Sequence, residues 1–582
     1  MTSVTVRIAG ANGDGVESSG ALLMKLAAKN GMQAYGYRGY QSIIRGGHVW
    51  FQVRIGDSEE RLHSHGNTID ILIALNQDGI ANQASHLSAN AAIIYDPDKV
   101  KVDSIDASKY KLVPVQMLEI AVRISGDSIM RNTVAIGSAM KIIGIDFGVF
   151  ESVIKAMFSR KGEKIVENNI KAAKEGFDAV KIDRVYTIKN DGRQRYVLDG
   201  NTALAIGAYA GGCNFYSAYP MTPASSILHW FAAHADRGVF FKQTEDEIAA
   251  INMAIGASNA GVRAMCGTSG GGFALMAEGL GLSGMLEVPL VVVESQRTGP
   301  STGLPTKTEQ GDLLFVMHAS QGEFPRIVVA PRSVEEAFYI GSEALNLADR
   351  YQCPVIILMD LYISEHVETV DGFNVEAVSI DRGKVATSNP EGGRFKRYLY
   401  TEDGISPRSH PGTPGTEFVA PSDEHDEYGD LVSDALSGID KHVETRRKMM
   451  RKRMGKIDTM LKNEKIFLPG IYKEESDFFL VTFGSTTEPA IEAAEILNRK
   501  GIRTGVISFS YLMPLDREKT EAMLRGRKLI DVEVNYTAQL AQVIMMNTGI
   551  EIEKKILEYD GEAVTGELIA EKALPLIKEL SG

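Results

Sequence analysis

The sequence predicts an α/β protein of three domains, the central one a doubly wound parallel sheet. Three observations carry this reading. At 582 residues the chain exceeds what one core serves, since domains run to roughly 100–200 residues. Between residues 214 and 360 apolar segments alternate with helical periodicity. Two of these segments, Leu290-Val-Val-Val-Glu294 and Val355 to Asp360, are continuously apolar, as strands buried on both faces are. Finally, the first and last regions both open with a strand running into a glycine turn, at Val4 to Gly15 and at Phe478 to Thr487.

The first region, 1–185, begins with a strand at Val4–Ile8, the turn Gly10-Ala-Asn-Gly-Asp-Gly15 and a helix from Val16 to Asn30. Such a turn aims backbone N–H groups and a helix N-terminus at one point, which suits an anion, although a purely structural tight turn explains it equally well. Strands follow at His48–Ile55, Ile69–Leu75 and Ala91–Tyr95, with helices through Ile129–Ile143 and Ile165–Val180. The second region, 196–386, opens on a helix predicted over Tyr196–Gly212. It continues with strands at Asn214–Ala218, Val239–Lys242, Val262–Gly267, Leu290–Glu294 and Val355–Asp360. Helices alternate with them at Ser225–Ala233, Asp246–Ser258, Gly272–Ser283 and Ser333–Ala348.

Region 387–470 breaks the pattern. Thr387 to Asp430 is rich in Pro and Gly and reads as a lid, a partner-binding arm or a linker. Its acidic run Asp423-Glu-His-Asp-Glu427 reads as a solvated charge cluster, because adjacent side chains rarely converge on one ion. Lys441–Lys465, with the basic block Arg446 to Arg453, reads as a surface or subunit-contact helix. The last region, 471–582, has strands at the start of Phe478–Thr487, at Thr504–Ser510 and at Lys528–Val534, and a helix at Pro489–Lys500.

Composition narrows the function. A formal net charge of -13 repels a polyphosphate backbone, so general nucleic-acid binding is not expected. No run reaches the ~20 apolar residues of a spanning helix, and no leader pattern is evident, so the expected compartment is the cytoplasm. The three cysteines, Cys213, Cys266 and Cys353, are isolated. A cubane cluster takes four thiolates, so an electron relay is expected on a partner, and no metal site is expected in this chain.

Three motifs fall where ligands of parallel sheets sit, beyond the carboxyl ends of strands. They are Tyr219-Pro-Met-Thr-Pro-Ala-Ser-Ser226, Gln243-Thr-Glu-Asp-Glu-Ile-Ala-Ala250 and Glu294-Ser-Gln-Arg-Thr-Gly-Pro-Ser-Thr-Gly-Leu-Pro-Thr-Lys-Thr-Glu-Gln310. They offer a hydroxyl at Thr222, helix-start carboxylates at Glu245 and Glu247, and a planar fork at Arg297 able to grip a carboxylate with two hydrogen bonds.

In this order and spacing the motifs resemble the alpha subunits of the 2-oxoacid:ferredoxin oxidoreductases, with residues 1–185 similar to a fused gamma subunit through Arg45-Gly-Gly-His and Ile71-Leu-Ile-Ala-Leu-Asn-Gln77. The resemblance implies thiamine-diphosphate- and coenzyme-A-dependent oxidative decarboxylation of a 2-oxo acid, with electrons passed to ferredoxin. It implies a central pyrimidine-binding domain and a last domain like the transketolase C-terminal domain. It assigns Glu247 to the aminopyrimidine nitrogen of the cofactor, where a carboxylate promotes the imino tautomer; both glutamates equally suit the positive end of a helix. It assigns Thr222 and Arg297 to the oxo acid and Pro223 to the cofactor pocket. Lys307 is either a reader of a distal carboxylate or a solvated lysine. Gly13, Gly15 and Arg45 become candidate coenzyme A contacts.

The Gly-Asp-Gly with a later Asn-Asn pair that would hold the Mg-diphosphate is missing, so Mg2+ and the 4Fe-4S cluster are expected on a beta subunit, in an (alpha-beta)2 assembly. The Gly303-Leu-Pro-Thr-Lys-Thr-Glu-Gln310 loop looks most like the 2-oxoglutarate enzymes, whose product is succinyl-CoA, with pyruvate or branched-chain specificity as the alternative. A nucleotide-dependent dehydrogenase and a non-catalytic scaffold subunit are the other readings.

Overall fold

A computed structural model describes residues 3–40, 47–103, 105–106, 108–182, 186–389 and 392–581. The chain divides into two compact units. The first takes its described residues from 1–199, 366–372 and 565–568. Its sheet has eight strands in the order Lys111–Pro114, Leu87–Tyr95, Ile69–Ala74, Ser3–Ala11, His48–Gly56, Gln33–Gly39, Val367–Val370 and Tyr196–Asp199. The first four run parallel to their neighbours, and from Ser3–Ala11 onward each pair is antiparallel. Helices Val16–Lys29, Arg131–Ile143, Phe147–Phe158 and Glu163–Ala179 bury their apolar stripes with the strand residues in one core.

The opening of the second region differs from its prediction. Tyr196–Asp199 is a strand, and the helix starts at Gly200 and ends at Ala210. The cause is non-local: Tyr196-Val-Leu-Asp199 pairs with Val367–Val370, far along the chain.

The second unit, 200–365, 373–564 and 569–582, holds two sheets. Its larger sheet runs Tyr511–Met513, Ile327–Val329, Pro354–Asp360, Leu290–Gln296, Ala264–Thr268, Phe215–Ala218 and Phe240–Gln243. Every neighbouring pair is parallel except the Tyr511–Met513 edge, so the doubly wound sheet is as expected. The smaller sheet, Gly470–Tyr472, Thr504–Phe509, Phe478–Phe483, Lys528–Glu533 and Lys554–Leu557, is also parallel apart from its Gly470–Tyr472 edge. One hydrophobic core takes residues from both sheets, among them Val292, Ile356, Val481 and Phe509.

The charged helix spans Ile439–Asn463, and it is not simply a surface helix. Lys452, Arg453 and Lys456 are buried. Lys452 and Lys456 each place Nζ 2.6 Å from the fully buried Glu287 carboxylate. Burial pushes the Glu287 carboxyl up, but the two ammonium groups outweigh it and hold the group below the usual carboxylate range; burial draws Lys452 down to about 8.

The acidic run is likewise not a solvated cluster. Glu424 pairs with Arg453 at 2.8 Å, and His425 is buried, with its ring 4.0 Å from that of Tyr398. The surrounding loop is pinned through buried arginines: Arg408 bonds Asp349 at 2.5 Å and Arg397 donates to the Glu287 carbonyl at 2.7 Å.

Candidate active site

Parallel strands expose their carboxyl ends on one edge, and four neighbours in the larger sheet deliver the motif residues there. Strand Phe215–Ala218 leads to Thr222, Phe240–Gln243 to Glu247, Ala264–Thr268 ends on Thr268, and Leu290–Gln296 leads to Arg297.

Asp246 caps the helix Glu247–Asn259 by accepting from Ala249 N at 2.8 Å. Capping fixes the first turn and turns Glu247 inward at 3% exposure, whereas Glu245 is exposed. The helix is tied to the sheet where Ser217 Oγ donates to the Ala250 carbonyl at 2.7 Å. Thr268 Oγ1 lies 3.5 Å from Glu247 Oε1 and 3.9 Å from Met221 Sδ, which joins the first two motifs. Gly272 makes the room: a Cβ there would come within 2.4 Å of Glu247 Oε1 and 2.0 Å of Thr268 Oγ1.

Arg297 joins the third motif to the first. Its Nη1 donates to the Thr222 carbonyl at 2.9 Å. The Thr222–Pro223 bond is cis, and the Pro223 carbonyl accepts from Asn201 Nδ2 at 2.8 Å. The structure thus brings Thr222, Pro223, Glu247 and Arg297 together at one sheet edge.

Lys307 sits close to them. Thr298 N, one residue past Arg297, donates to the Lys307 carbonyl at 3.0 Å. The Lys307 ammonium is ion-paired with Glu562, so it is not a freely solvated lysine.

Two further acids lie beside this edge, Glu294 at the head of the third motif and Asp312 two residues past its end. Glu294 lies fully buried within strand Leu290–Gln296, and neither of its carboxylate oxygens has a hydrogen-bond partner. Burial, then Asp312 and Asp360, raise it well above the usual carboxylate range. Asp312 is pushed up to about 6 by burial and by Glu309. An acid closing a continuous apolar run was the available clue to Glu294; nothing local marks Asp312.

In the first unit, Gly13 and Gly15 adopt φ 93° and 77°, a region open to glycine at little cost. Asp14 braces their turn, accepting from Ala11 N at 2.8 Å and pairing with Arg131 at 2.5 Å. A cavity of about 520 Å³ lies alongside, lined by Ser18, Ser19, Asn132 and Thr133 with apolar residues such as Ile136 and Phe158. Arg45 lies outside the described residues.

Fold and site define a catalytic α/β subunit, and comparison with known proteins gives its family. Residues 206–445 match the family described as pyruvate flavodoxin/ferredoxin oxidoreductase, thiamine diP-bdg. Residues 5–179 match pyruvate ferredoxin/flavodoxin oxidoreductase and residues 470–558 the transketolase C-terminal domain. The chain is 33% identical to the 2-oxoacid:ferredoxin oxidoreductase subunit alpha of Saccharolobus solfataricus, over 97% of this chain and 96% of that one. It is 30% identical to the 2-oxoglutarate oxidoreductase subunit KorA of Mycobacterium tuberculosis, over 94% and 87%. A solved 2-oxoglutarate:ferredoxin oxidoreductase from Magnetococcus marinus, with 2-oxoglutarate, coenzyme A and succinyl-CoA bound, matches at TM-score 0.90 and 31% identity over 99% of both chains. The chain belongs to the family of 2-oxoacid:ferredoxin oxidoreductase alpha subunits.

The family expected from the three motifs is therefore borne out. The residues present also fit the aminopyrimidine half of thiamine diphosphate: Glu247 is a buried carboxylate at a helix start, set against the side-chain-free Gly272.

Proposed function

We propose that this chain is the alpha subunit of a 2-oxoglutarate:ferredoxin oxidoreductase. The reaction converts 2-oxoglutarate and coenzyme A to succinyl-CoA and carbon dioxide, and two electrons leave one at a time for ferredoxin. The observation that carries this is the 2.9 Å contact of Arg297 with Thr222, which holds a guanidinium and a threonine at a strand's carboxyl end, a receptor suited to a 2-oxo carboxylate. The family relatives named for 2-oxoglutarate support the choice of substrate.

Thiamine diphosphate, when bound, supplies the electron sink for carbon–carbon cleavage. This chain's residues do the positioning and the proton chemistry. Glu247, kept dry by its burial, would hold a proton against the aminopyrimidine nitrogen. Thr222 and Arg297 orient the substrate carboxylate, and Pro223 walls the cofactor pocket. Gly13 and Gly15, with Arg45, serve coenzyme A in the 1–185 domain, and the cavity beside their turn is of a size for part of such a ligand. Region 196–386 acts as the pyrimidine-binding domain, 387–470 as the arm and charged helix, and 471–582 as the transketolase C-terminal-like domain.

A beta subunit completes the site with Mg2+ and the 4Fe-4S cluster, in an (alpha-beta)2 complex of the cytoplasm that ferredoxin visits. Among the described residues no cluster of three metal-ligating side chains occurs, and no helix is long and apolar enough to cross a membrane. Two helices at the site, Glu247–Asn259 and Gly270–Leu286, leave large apolar side chains open to solvent: Ile248 is 50% exposed, Met253 41% and Leu275 51%. Exposed apolar side chains gathered beside a site mark an interaction surface, so these faces suit the beta subunit.

The test is ferredoxin or viologen reduction by this chain purified with a beta subunit and given thiamine diphosphate, coenzyme A and a panel of 2-oxo acids. Coenzyme-A-dependent reduction on 2-oxoglutarate, absent without the second subunit, is expected. An assembled complex that ignores every oxo acid would overturn the reading.

A further inference from the structure

We propose that Glu562 is an internal competitor for the substrate's distal carboxylate, parked on Lys307, and that it tunes the preference of the site between dicarboxylic and monocarboxylic 2-oxo acids. This rests on the reading of the site as a 2-oxo acid site.

Lys307 is not an isolated surface cation. Its carbonyl accepts from Thr298 N at 3.0 Å and its own N donates to the Leu304 carbonyl at 3.0 Å. Thr298 Oγ1 donates to the Thr308 carbonyl at 3.1 Å. These bonds fold residues 298–308 into a compact loop beside Arg297, and Lys307 is the cationic side chain it presents.

A second loop, 558–564, closes on the first. Thr308 N donates to the Gly561 carbonyl at 3.2 Å. Gly561 has φ 84°, and a Cβ there would come 3.0 Å from Lys307 Cβ and 3.3 Å from Thr298 Oγ1. Only a glycine gives this approach without strain. Glu562 N donates to Asp560 Oδ1 at 2.9 Å, which sets the turn and directs the Glu562 carboxylate to the Lys307 ammonium.

Glu562 is thus a carboxylate delivered to the lysine within one chain, by two loops hydrogen-bonded to each other. It satisfies the lysine when the substrate has no second carboxylate. The pair is open to water, with side chains 28% and 50% exposed for Lys307 and Glu562. Exposed pairs of this kind are weak, so an incoming distal carboxylate can take the lysine and release Glu562 to solvent. A monocarboxylic oxo acid makes no such exchange. Glu562 acts through Lys307 and touches no reacting atom, so it is a positioning residue.

The test uses the complex with its beta subunit and measures KM for 2-oxoglutarate and for pyruvate in wild type, Glu562→Gln, Lys307→Met and the double variant. Glu562→Gln is expected to raise the ratio of pyruvate KM to 2-oxoglutarate KM by about threefold, the scale of an exposed ion pair. Lys307→Met should lower that ratio, and adding Glu562→Gln to Lys307→Met should change it no further. An unmoved ratio in Glu562→Gln, the same change in the Lys307→Met background, or an equal fall in kcat on both substrates would overturn the proposal. A wild-type complex that turns over neither acid would instead overturn the site reading on which it rests.

Discussion

Arg297 and Thr222, 75 residues apart in sequence, meet through a 2.9 Å hydrogen bond from the guanidinium to the threonine carbonyl. The bond sets one end of the arginine fork against the loop before Pro223. Arg297→Lys keeps the charge but loses the planar fork. The expected result is a fall in kcat/KM for 2-oxo acids of about tenfold or more, with the melting temperature unchanged. Steady-state kinetics and thermal denaturation of the complex check this.

Gly272→Ala tests the packing that holds the carboxylate. The added methyl would collide with Glu247 Oε1 and Thr268 Oγ1, and neither can retreat easily in a buried site. Activity should fall strongly while the complex still assembles, whereas Gly271→Ala, whose Cβ would meet nothing within 4 Å, should be nearly silent. Kinetics of the two variants, side by side, decide it.

Glu294 makes a prediction about pH. Its folded pKa lies above the unfolded value, so as pH rises the unfolded chain ionises and gains while the folded chain does not. The residue therefore costs stability at neutral pH and nothing below the unfolded pKa of about 4.3. Glu294→Gln should raise the melting temperature at pH 7.5 by at least about 2 °C, and the gain should vanish near pH 4. Melting curves across that range are the check.

Glu287 predicts the opposite slope. Burial opposes its charge, but Lys452 and Lys456 hold its pKa low, so its contribution is present above the unfolded pKa and lost as pH falls below it. Glu287→Gln leaves two buried ammonium groups without their counter-charge and should destabilise the protein at pH 7 by about 3–5 kcal/mol. Urea denaturation of the variant and the parent chain measures it.

These residues also show what the sequence disclosed. Strands Leu290–Gln296 and Pro354–Asp360 were legible because burial on both faces leaves a continuous apolar run; helix Glu247–Asn259 was legible in extent to one residue at each end, while the capping role of Asp246, read as its first residue, emerged only from the fold. Strand Gln33–Gly39 escaped: two glycines and an arginine in QAYGYRG carry no apolar alternation, and its partners, His48–Gly56 and Val367–Val370, supply the order. The burial of Lys452 was hidden for the same reason, since Glu287 stands 165 residues earlier. Thr222, Glu247 and Arg297 were legible as types, each beside a strand end. Their meeting required the strand order, and the pairing of Lys307 with Glu562, 255 residues on, required the tertiary fold.

Glu247 is the residue on which the proton chemistry of the proposed divided site depends. Coenzyme-A-dependent ferredoxin reduction by the complex carrying Glu247→Gln, with assembly followed in parallel by sedimentation, puts this role to trial. A loss of about 100-fold or more in kcat with the complex intact is predicted. Turnover near the wild-type rate would contradict that role and return Glu247 to a helix-start residue with no part in the reaction.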